Sequence, residues 1–295
     1  MKIRIKLLFR VLNKHQAQLA SLSISEARQY FEKISQTPHK PRVTKVVEEH
    51  IGSNKNLKVR IYYTRSLDNP TIVYFHGGGF VLGSLDSHDE VARLLSRTTS
   101  SNVISVSYRL APEYPFPAAI DSGITALAWL YEQDALNKSK VFLAGDSAGG
   151  HIALYTYLRL NKLAQKMVLG LILIYPSLDP ALLTDSMNQY ANSYFVTKSN
   201  MQAFWQAYLG KKHLSWPLAP KELRELPPVL VQTADFDILK DEGRLFAQTI
   251  STAGGVVDYH NYKGTTHGFM QMPTIINKRS AALKDIAHFM KSYKA

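Results

Sequence analysis

The chain has 295 residues, no cysteine, a 45% hydrophobic share, 20% charged residues and a formal net charge of +12. That length is more than one small core requires but ordinary for an α/β protein that stays a single domain, and the balance of apolar and charged residues excludes a disordered or collagen-like chain. Without cysteine there are no disulfides, thiolate metal sites or cysteine nucleophiles, which fits a reducing, cytoplasmic setting.

The positive charge gathers toward the start of the chain, where residues 1–60 hold 13 Lys and Arg against four Glu and no Asp. These cations are scattered rather than consecutive, so a basic surface is expected and a nucleic-acid site is not. In MKIRIKLLFRVLNKHQAQLASLS, Lys2, Arg4 and Lys6 precede apolar residues in the manner of a secretory signal. Arg10 and Asn13 break the apolar run before it reaches the length of a signal core, so an amphipathic helix is expected instead. No window approaches the ~20 apolar residues of a membrane span, so no membrane insertion is expected.

From Ser23 to Ile34 the spacing predicts a short helix: Ser23 and Glu26 stand at capping-box distance, and Ile24, Ala27, Phe31 and Ile34 recur with helical period. Residues 43–51 and 57–64 are rich in β-formers and flank GSNKN, the pattern of a hairpin. Short apolar runs then alternate with longer amphipathic stretches. TIVYFH (71–76), VISVSY (103–108), KVFLAG (140–145), LILIYP (171–176), PVLVQTAD (228–235) and VVDYHNY (256–262) are predicted strands. Helices are expected at 118–134, 148–163, 241–253 and 275–292. Near-continuous apolar strands alternating with helices imply a mostly parallel sheet flanked by helices. The interval between Pro176 and Pro228 is too long for a simple connection, and its aromatic-rich stretch 190–210 predicts an insertion with structure of its own, a lid or an added packing helix.

The stretch LAGDSAGGH (143–151) places Ser147 among residues with almost no side chain, directly after a predicted strand and before a predicted helix. Taken alone, G-x-S-x-G is weak, since a chain of this length meets it by chance about one time in ten. Between a strand and a helix it becomes the pattern of a nucleophile elbow, where small neighbours let backbone and substrate approach the hydroxyl. A serine nucleophile needs a base, and of the ten histidines His267, in the small-residue loop KGTTHGF after the last strand, is the best placed. His151 is read as a packed helix residue.

The acid is sought in TADFDILKDEG (233–243). Asp241 and Glu242 are read as opening the next helix as its cap and dipole partners. Asp235 and Asp237 both lie just past a strand end, and spacing does not separate them. A calcium loop is rejected there because Leu239 and Lys240 stand where a ligand and a turn glycine belong. FHGGGF (75–80) follows a strand and offers the N–H groups of Gly77, Gly78 and Gly79, with that of Ala148, to an oxyanion. A phosphate loop is rejected because Leu82 occupies the last glycine position of G-x-G-x-x-G. His76 is read as holding the loop in shape, and LDSHDE (85–90) as acids opening a helix rather than metal ligands.

Together HGGGF, SYRLAPEYPFPAA (107–119), GDSAGG (145–150), DILKDEG (237–243) and HGF (267–269) resemble, in order, the motifs of the hormone-sensitive-lipase-like family of α/β-hydrolases, and within it bacterial acetyl esterases. The resemblance implies an α/β-hydrolase fold over residues 1–295, with a helical cap from about residues 1–42 and an insertion at about 177–212. Through D-x-L-x-D-E it implies that the acid is Asp237; Ile238 replaces the family's usual proline, and Asp235 stands where members often carry Glu or Gly. It further implies a serine ester hydrolase of short, acetyl-like acyl chains that needs no cofactor and no metal. Its partner would be a small ester, and a homodimer is compatible with it. Phe195, Phe204, Trp205 and Tyr208 then either wall the substrate pocket or form the core of the cap. A longer-chain lipase and a non-catalytic ligand-binding protein are the alternatives on this fold, the second disfavoured by the presence of His267.

Overall fold

The computed structural model describes residues 14, 15, 18, 19, 21–37, 39–66, 69–133, 136, 140–192, 196–272 and 276–293. Most of the N-terminal amphipathic segment, and Phe195, lie outside them. In chain order the first elements are α1 (Ile24–Ser35), β1 (Lys45–Ile51), β2 (Leu57–Tyr63), β3 (Thr71–Phe75), α2 (Asp89–Thr99), β4 (Asn102–Val106) and α3 (Ala118–Glu132). Then come β5 (Val141–Asp146), α4 (Ala148–Arg159), α5 (Lys162–Gln165), β6 (Val168–Ile174), α6 (Asp185–Gln189), α7 (Lys198–Leu209) and α8 (Pro220–Arg224). The chain continues with β7 (Val229–Phe236), α9 (Lys240–Thr252), β8 (Val257–Thr266), a 3-10 turn (Phe269–Gln271) and α10 (Ile276–Ser292).

Among the described residues the strands form one eight-stranded sheet in the order β1-β2-β4-β3-β5-β6-β7-β8. β2 runs antiparallel to both β1 and β4, and every other pair is parallel. Successive side chains of a strand face opposite sides, so each inner strand feeds two cores. Val73 and Phe75 of β3 join Leu143 and Leu173 under α3 and α4. Ile72 and Tyr74 join Phe142, Ile172 and Leu230 under α2 and α10. Strands buried on both faces need apolar residues at consecutive positions, which is why β3, β4 and β5 read as nearly continuous apolar runs. Edge strand β1 alternates instead.

The expected caps and insertion take physical form. Ser23 accepts from the Glu26 N–H while the Glu26 carboxylate accepts from the Ser23 N–H at 3.0 Å, closing the capping box of α1. Arg28 ties that helix to the body, donating to the carbonyls of Val81 and Ala111 at 2.9 Å each and pairing with Glu113 at 2.7 Å. The long interval after β6 holds α6, α7 and α8. Asp89 and Glu90 do open a helix, α2. Asp241 and Glu242 sit in the first turn of α9 but do not cap it: its N-cap is Leu239, with no side-chain bond. Asp241 accepts instead from the Ser186 N–H at 2.8 Å, and Glu242 from the Leu178 N–H at 2.8 Å, fastening the insertion and the chain after β6.

Candidate active site

Because β3, β5, β6, β7 and β8 run parallel within one sheet, the loops at their C-terminal ends gather along one edge, where open α/β sheets place their ligands. The loop after β5 is a single residue. Ser147 takes φ 55° and ψ −121°, a strained conformation for a side-chain-bearing residue, and α4 starts at Ala148. A Cβ on Gly145 would collide with the Gly149 carbonyl oxygen, and one on Gly149 with the Phe75 carbonyl oxygen, so the turn closes only with glycine at both places. The Ser147 N–H donates to the Ile174 carbonyl at 2.8 Å, fixing the elbow to the neighbouring strand.

His267 follows β8 directly and reaches the elbow across the two intervening strands, β6 and β7. Its Nε2 lies 2.9 Å from Ser147 Oγ, and its Nδ1 lies 2.8 Å from Asp237 Oδ2. All three side chains are buried, with the Ser147 residue 8% exposed. The edge of the Tyr175 ring, 4.8 Å from the imidazole between centroids, supports its flank. Asp237 Oδ1 accepts from the Leu239 N–H at 2.9 Å, so both carboxylate oxygens are held.

The two aspartates that spacing left equal part company here. Asp235 Oδ2 accepts from the Gly264 N–H at 3.0 Å, and Lys263 Nζ stands 3.9 Å from its other oxygen. It fastens β8 to β7 where their register shifts, between Ala234 and Phe236, just ahead of the residues that carry His267. The structure thus brings Asp237 to the imidazole and gives Asp235 to the backbone.

The glycine loop after β3 departs from expectation at one position. The Gly77 N–H donates to Asp146 Oδ1 at 3.0 Å, so Gly77 is already committed and does not belong with the free donors. The same oxygen accepts from Tyr74 Oη at 2.5 Å. Among the described residues no acceptor takes the N–H of Gly78, Gly79 or Ala148. Gly78 and Gly79 adopt φ 123° and 61°, and a Cβ on Gly78 would strike the Leu82 carbonyl oxygen. His76 Nδ1–H donates to the Gly77 carbonyl at 2.8 Å while its ring stacks on Tyr108 at 4.3 Å, so it does shape the loop. Burial, with His88 nearby, pushes His76 down to about 3, which keeps its ring neutral.

Asp146, next to Ser147, is a residue to which the sequence motifs assign no role. Burial opposes its ionisation, but His88, whose Nε2 is 3.6 Å away, and the bond from Tyr74 outweigh that and hold its carboxyl below the usual range. His88 in turn lies 2.9 Å from Gln271 Nε2.

Ser147, His267, Asp146 and the three glycines open into one cavity of about 450 Å3. Its far walls are mostly apolar, formed by residues such as Leu22, Ile24, Phe31, Val196, Met201 and Phe204, with Ser199 and Asn200 among them. Phe204 lines it, with its ring so close to Gly79 that a Cβ there would collide. Trp205 and Tyr208 face the other way, packing with Phe80 around the buried His151, which stacks on Tyr155 at 4.3 Å. Of the aromatic residues expected as wall or core, Phe204 is wall and the other two described ones are core. Among the described residues no three His, Asp or Glu side chains converge so as to hold a metal ion.

A strained serine after a central strand, a histidine and an aspartate from later strand ends, and a glycine loop alongside define a hydrolase of the α/β type. The chain belongs to the alpha/beta hydrolase fold family, whose model matches residues 72–271, and within it to the hormone-sensitive-lipase-like esterases that its motifs resemble. It is 31% identical over 287 residues to the esterase LipI of Mycobacterium tuberculosis, spanning 90% of this chain and 89% of that one. Against an ethyl acetate hydrolase of Pseudomonas putida it is 30% identical over 293 residues, spanning 92% and 91%. Among solved structures it matches the thermostable carboxylesterase EstE1, from a metagenomic library, with a TM-score of 0.87 at 30% identity, covering 94% and 99% of the two chains. A hyperthermophilic esterase of the archaeon Pyrobaculum calidifontis gives 0.82 at 32%, covering 96% and 97%. The expected fold and family are borne out.

Proposed function

We propose that this esterase hydrolyses short-chain carboxylic esters through Ser147, His267 and Asp237 and a covalent acyl-enzyme. The observation that carries the reading is the continuous line of hydrogen bonds, 2.8 Å from Asp237 to His267 and 2.9 Å from His267 to Ser147. An ionised carboxylate only accepts, so Nδ1 carries the ring proton and Nε2 offers its lone pair to the serine hydroxyl. As Oγ attacks the ester carbonyl, its proton passes to Nε2, and Asp237 stabilises the resulting imidazolium without taking the proton itself. Negative charge then grows on the former carbonyl oxygen. The unclaimed N–H groups of Gly78, Gly79 and Ala148 meet it, helped by the positive end of α4. The imidazolium protonates the leaving alcohol; water, deprotonated by the same ring, then opens the acyl-enzyme. None of these steps calls for a cofactor.

The preference for short acyl chains rests on Phe204, whose ring crowds Gly79 beside the nucleophile, and on similarity to a relative named for ethyl acetate. In this reading α1 and the insertion carrying α7 serve as a cap over a single α/β-hydrolase domain. The site is proposed to work in the cytoplasm, since the cysteine-free chain has no use for an oxidising compartment; cell fractionation followed by activity assay checks this.

Ser147→Ala should abolish turnover of p-nitrophenyl acetate by several orders of magnitude, together with covalent labelling by a fluorophosphonate, while the far-UV circular dichroism stays unchanged. Wild-type turnover in that variant would end the proposal. Rates across acetate, butyrate, octanoate and palmitate esters should peak at the short end, and a maximum at palmitate would overturn the chain-length claim.

A further inference from the structure

The end of the sheet opposite Ser147 carries a second cavity, of about 540 Å3, which shares no residue with the first. It lies where β2 ends at Tyr63, α2 ends at Thr99 and β4 begins at Asn102. Arg42, Arg65 and Arg97 line it, and no Asp or Glu does. Elsewhere several arginines are matched with acids: Arg28 with Glu113, Arg60 with Glu48, Arg93 with Asp89 and Arg279 with Glu90. Among the described residues the guanidiniums of Arg42, Arg65 and Arg97 have neither an ion pair nor a hydrogen-bond acceptor. Three like charges around one concavity repel one another unless a counter-charge enters.

We propose that this cavity binds a phosphate-bearing anion, gripped by Arg42, Arg65 and Arg97, at a site separate from the ester-cleaving one. Guanidinium forks match the oxygens of a phosphate better than any other side chain. A phosphomonoester near neutral pH carries close to two negative charges, which suits a cluster of three cations without carboxylates. The cavity also accounts for part of the chain's net charge of +12, which ester hydrolysis does not require. The inference stands on charge and geometry at this end of the sheet and does not depend on the substrate assigned to Ser147.

Two probes separate a free phosphate compound from a lipid headgroup. Inorganic pyrophosphate is titrated calorimetrically into the whole protein, and the protein is sedimented with phosphatidylcholine vesicles with and without phosphatidic acid. The triple variant Arg42→Gln, Arg65→Gln, Arg97→Gln should weaken binding by at least about tenfold. A control of equal charge change on exposed residues, Lys221→Gln, Lys278→Gln, Lys284→Gln, should keep it. Retained hydrolysis of p-nitrophenyl acetate reports that each variant is folded, and Arg97→Gln alone serves if the triple variant does not fold. Pyrophosphate binding without sedimentation identifies a free phosphate ligand, and sedimentation with acidic vesicles that only the arginine variant loses identifies a headgroup. The proposal falls if neither probe binds, or if the arginine and lysine variants lose binding equally.

Discussion

Asp146 is the most informative residue to perturb, because one of its oxygens holds two buried donors. In Asp146→Ala, Tyr74 Oη and the Gly77 N–H lose the acceptor they share at 2.5 and 3.0 Å. A buried donor left unpaired costs about 1–3 kcal/mol, and the two together about 2–6 kcal/mol, a large part of the about 5–15 kcal/mol that holds a typical domain folded. At roughly 2–3 °C per kcal/mol for a chain of this size, melting should fall by about 10 °C. The second consequence is kinetic. With Gly77 released, the N–H groups of Gly78 and Gly79 lose their fixed position relative to Ser147. Loss of one oxyanion donor lowers kcat about a hundredfold or more, and because such donors meet charge that exists only in the transition state, KM should move little. Asp146→Asn is the matched control: its Oδ1 still accepts from Tyr74 and Gly77, so kcat should fall by less than about tenfold. Steady-state hydrolysis of p-nitrophenyl acetate and thermal melts followed by circular dichroism measure both effects. Wild-type kcat in Asp146→Ala, or equal damage in both variants, would refute the reasoning.

Asp237→Asn should lower kcat by about three to four orders of magnitude by favouring the wrong imidazole tautomer, whereas Asp235→Asn, which keeps an acceptor for the Gly264 N–H, should stay within about tenfold of wild type; kcat values in the reverse order would move the acid to Asp235. Stability should weaken in mild acid, because burial pushes both His151 and His76 down to about 3 while the unfolded chain protonates near 6.5. Lowered histidine values mean that the unfolded chain binds protons first: this stability is complete above about pH 6.5 and is lost toward pH 3, at up to ~1.4 kcal/mol per pH unit for each ring. Neither nitrogen of His151 has a partner, so His151→Phe should cost nothing at pH 7.5 and should flatten the fall in denaturation free energy between pH 6.5 and 4 by about one ring's share. An unchanged slope in urea titrations across that range would show that His151 is not held neutral.

The sheet was legible in the sequence because its inner strands are buried on both faces and are therefore mostly apolar at consecutive positions. Ser147 and His267 were legible for a local reason: each sits in a turn whose small neighbours leave a signature. The proposed acid was not, because Asp235 and Asp237 stand two positions apart at the same strand end; what divides them is the register shift against β8, a property of two strands that neither segment shows alone. The Gly77 error has the same origin. Nothing in HGGGF says that one of its N–H groups is taken by a carboxylate 69 positions away.

In the proposed mechanism that bond also explains why Asp stands immediately before Ser147. Ser147 is aimed by a strained turn, and oxyanion donors are useful only if they keep their distance from it as the sheet flexes. A carboxylate one residue from Ser147 that grips the first amide of the donor loop makes elbow and loop a single unit, with His76 and Tyr108 bracing its other side. The loop can then be rich in glycine, and so free to place Gly78 and Gly79 in conformations other residues resist, without being loose.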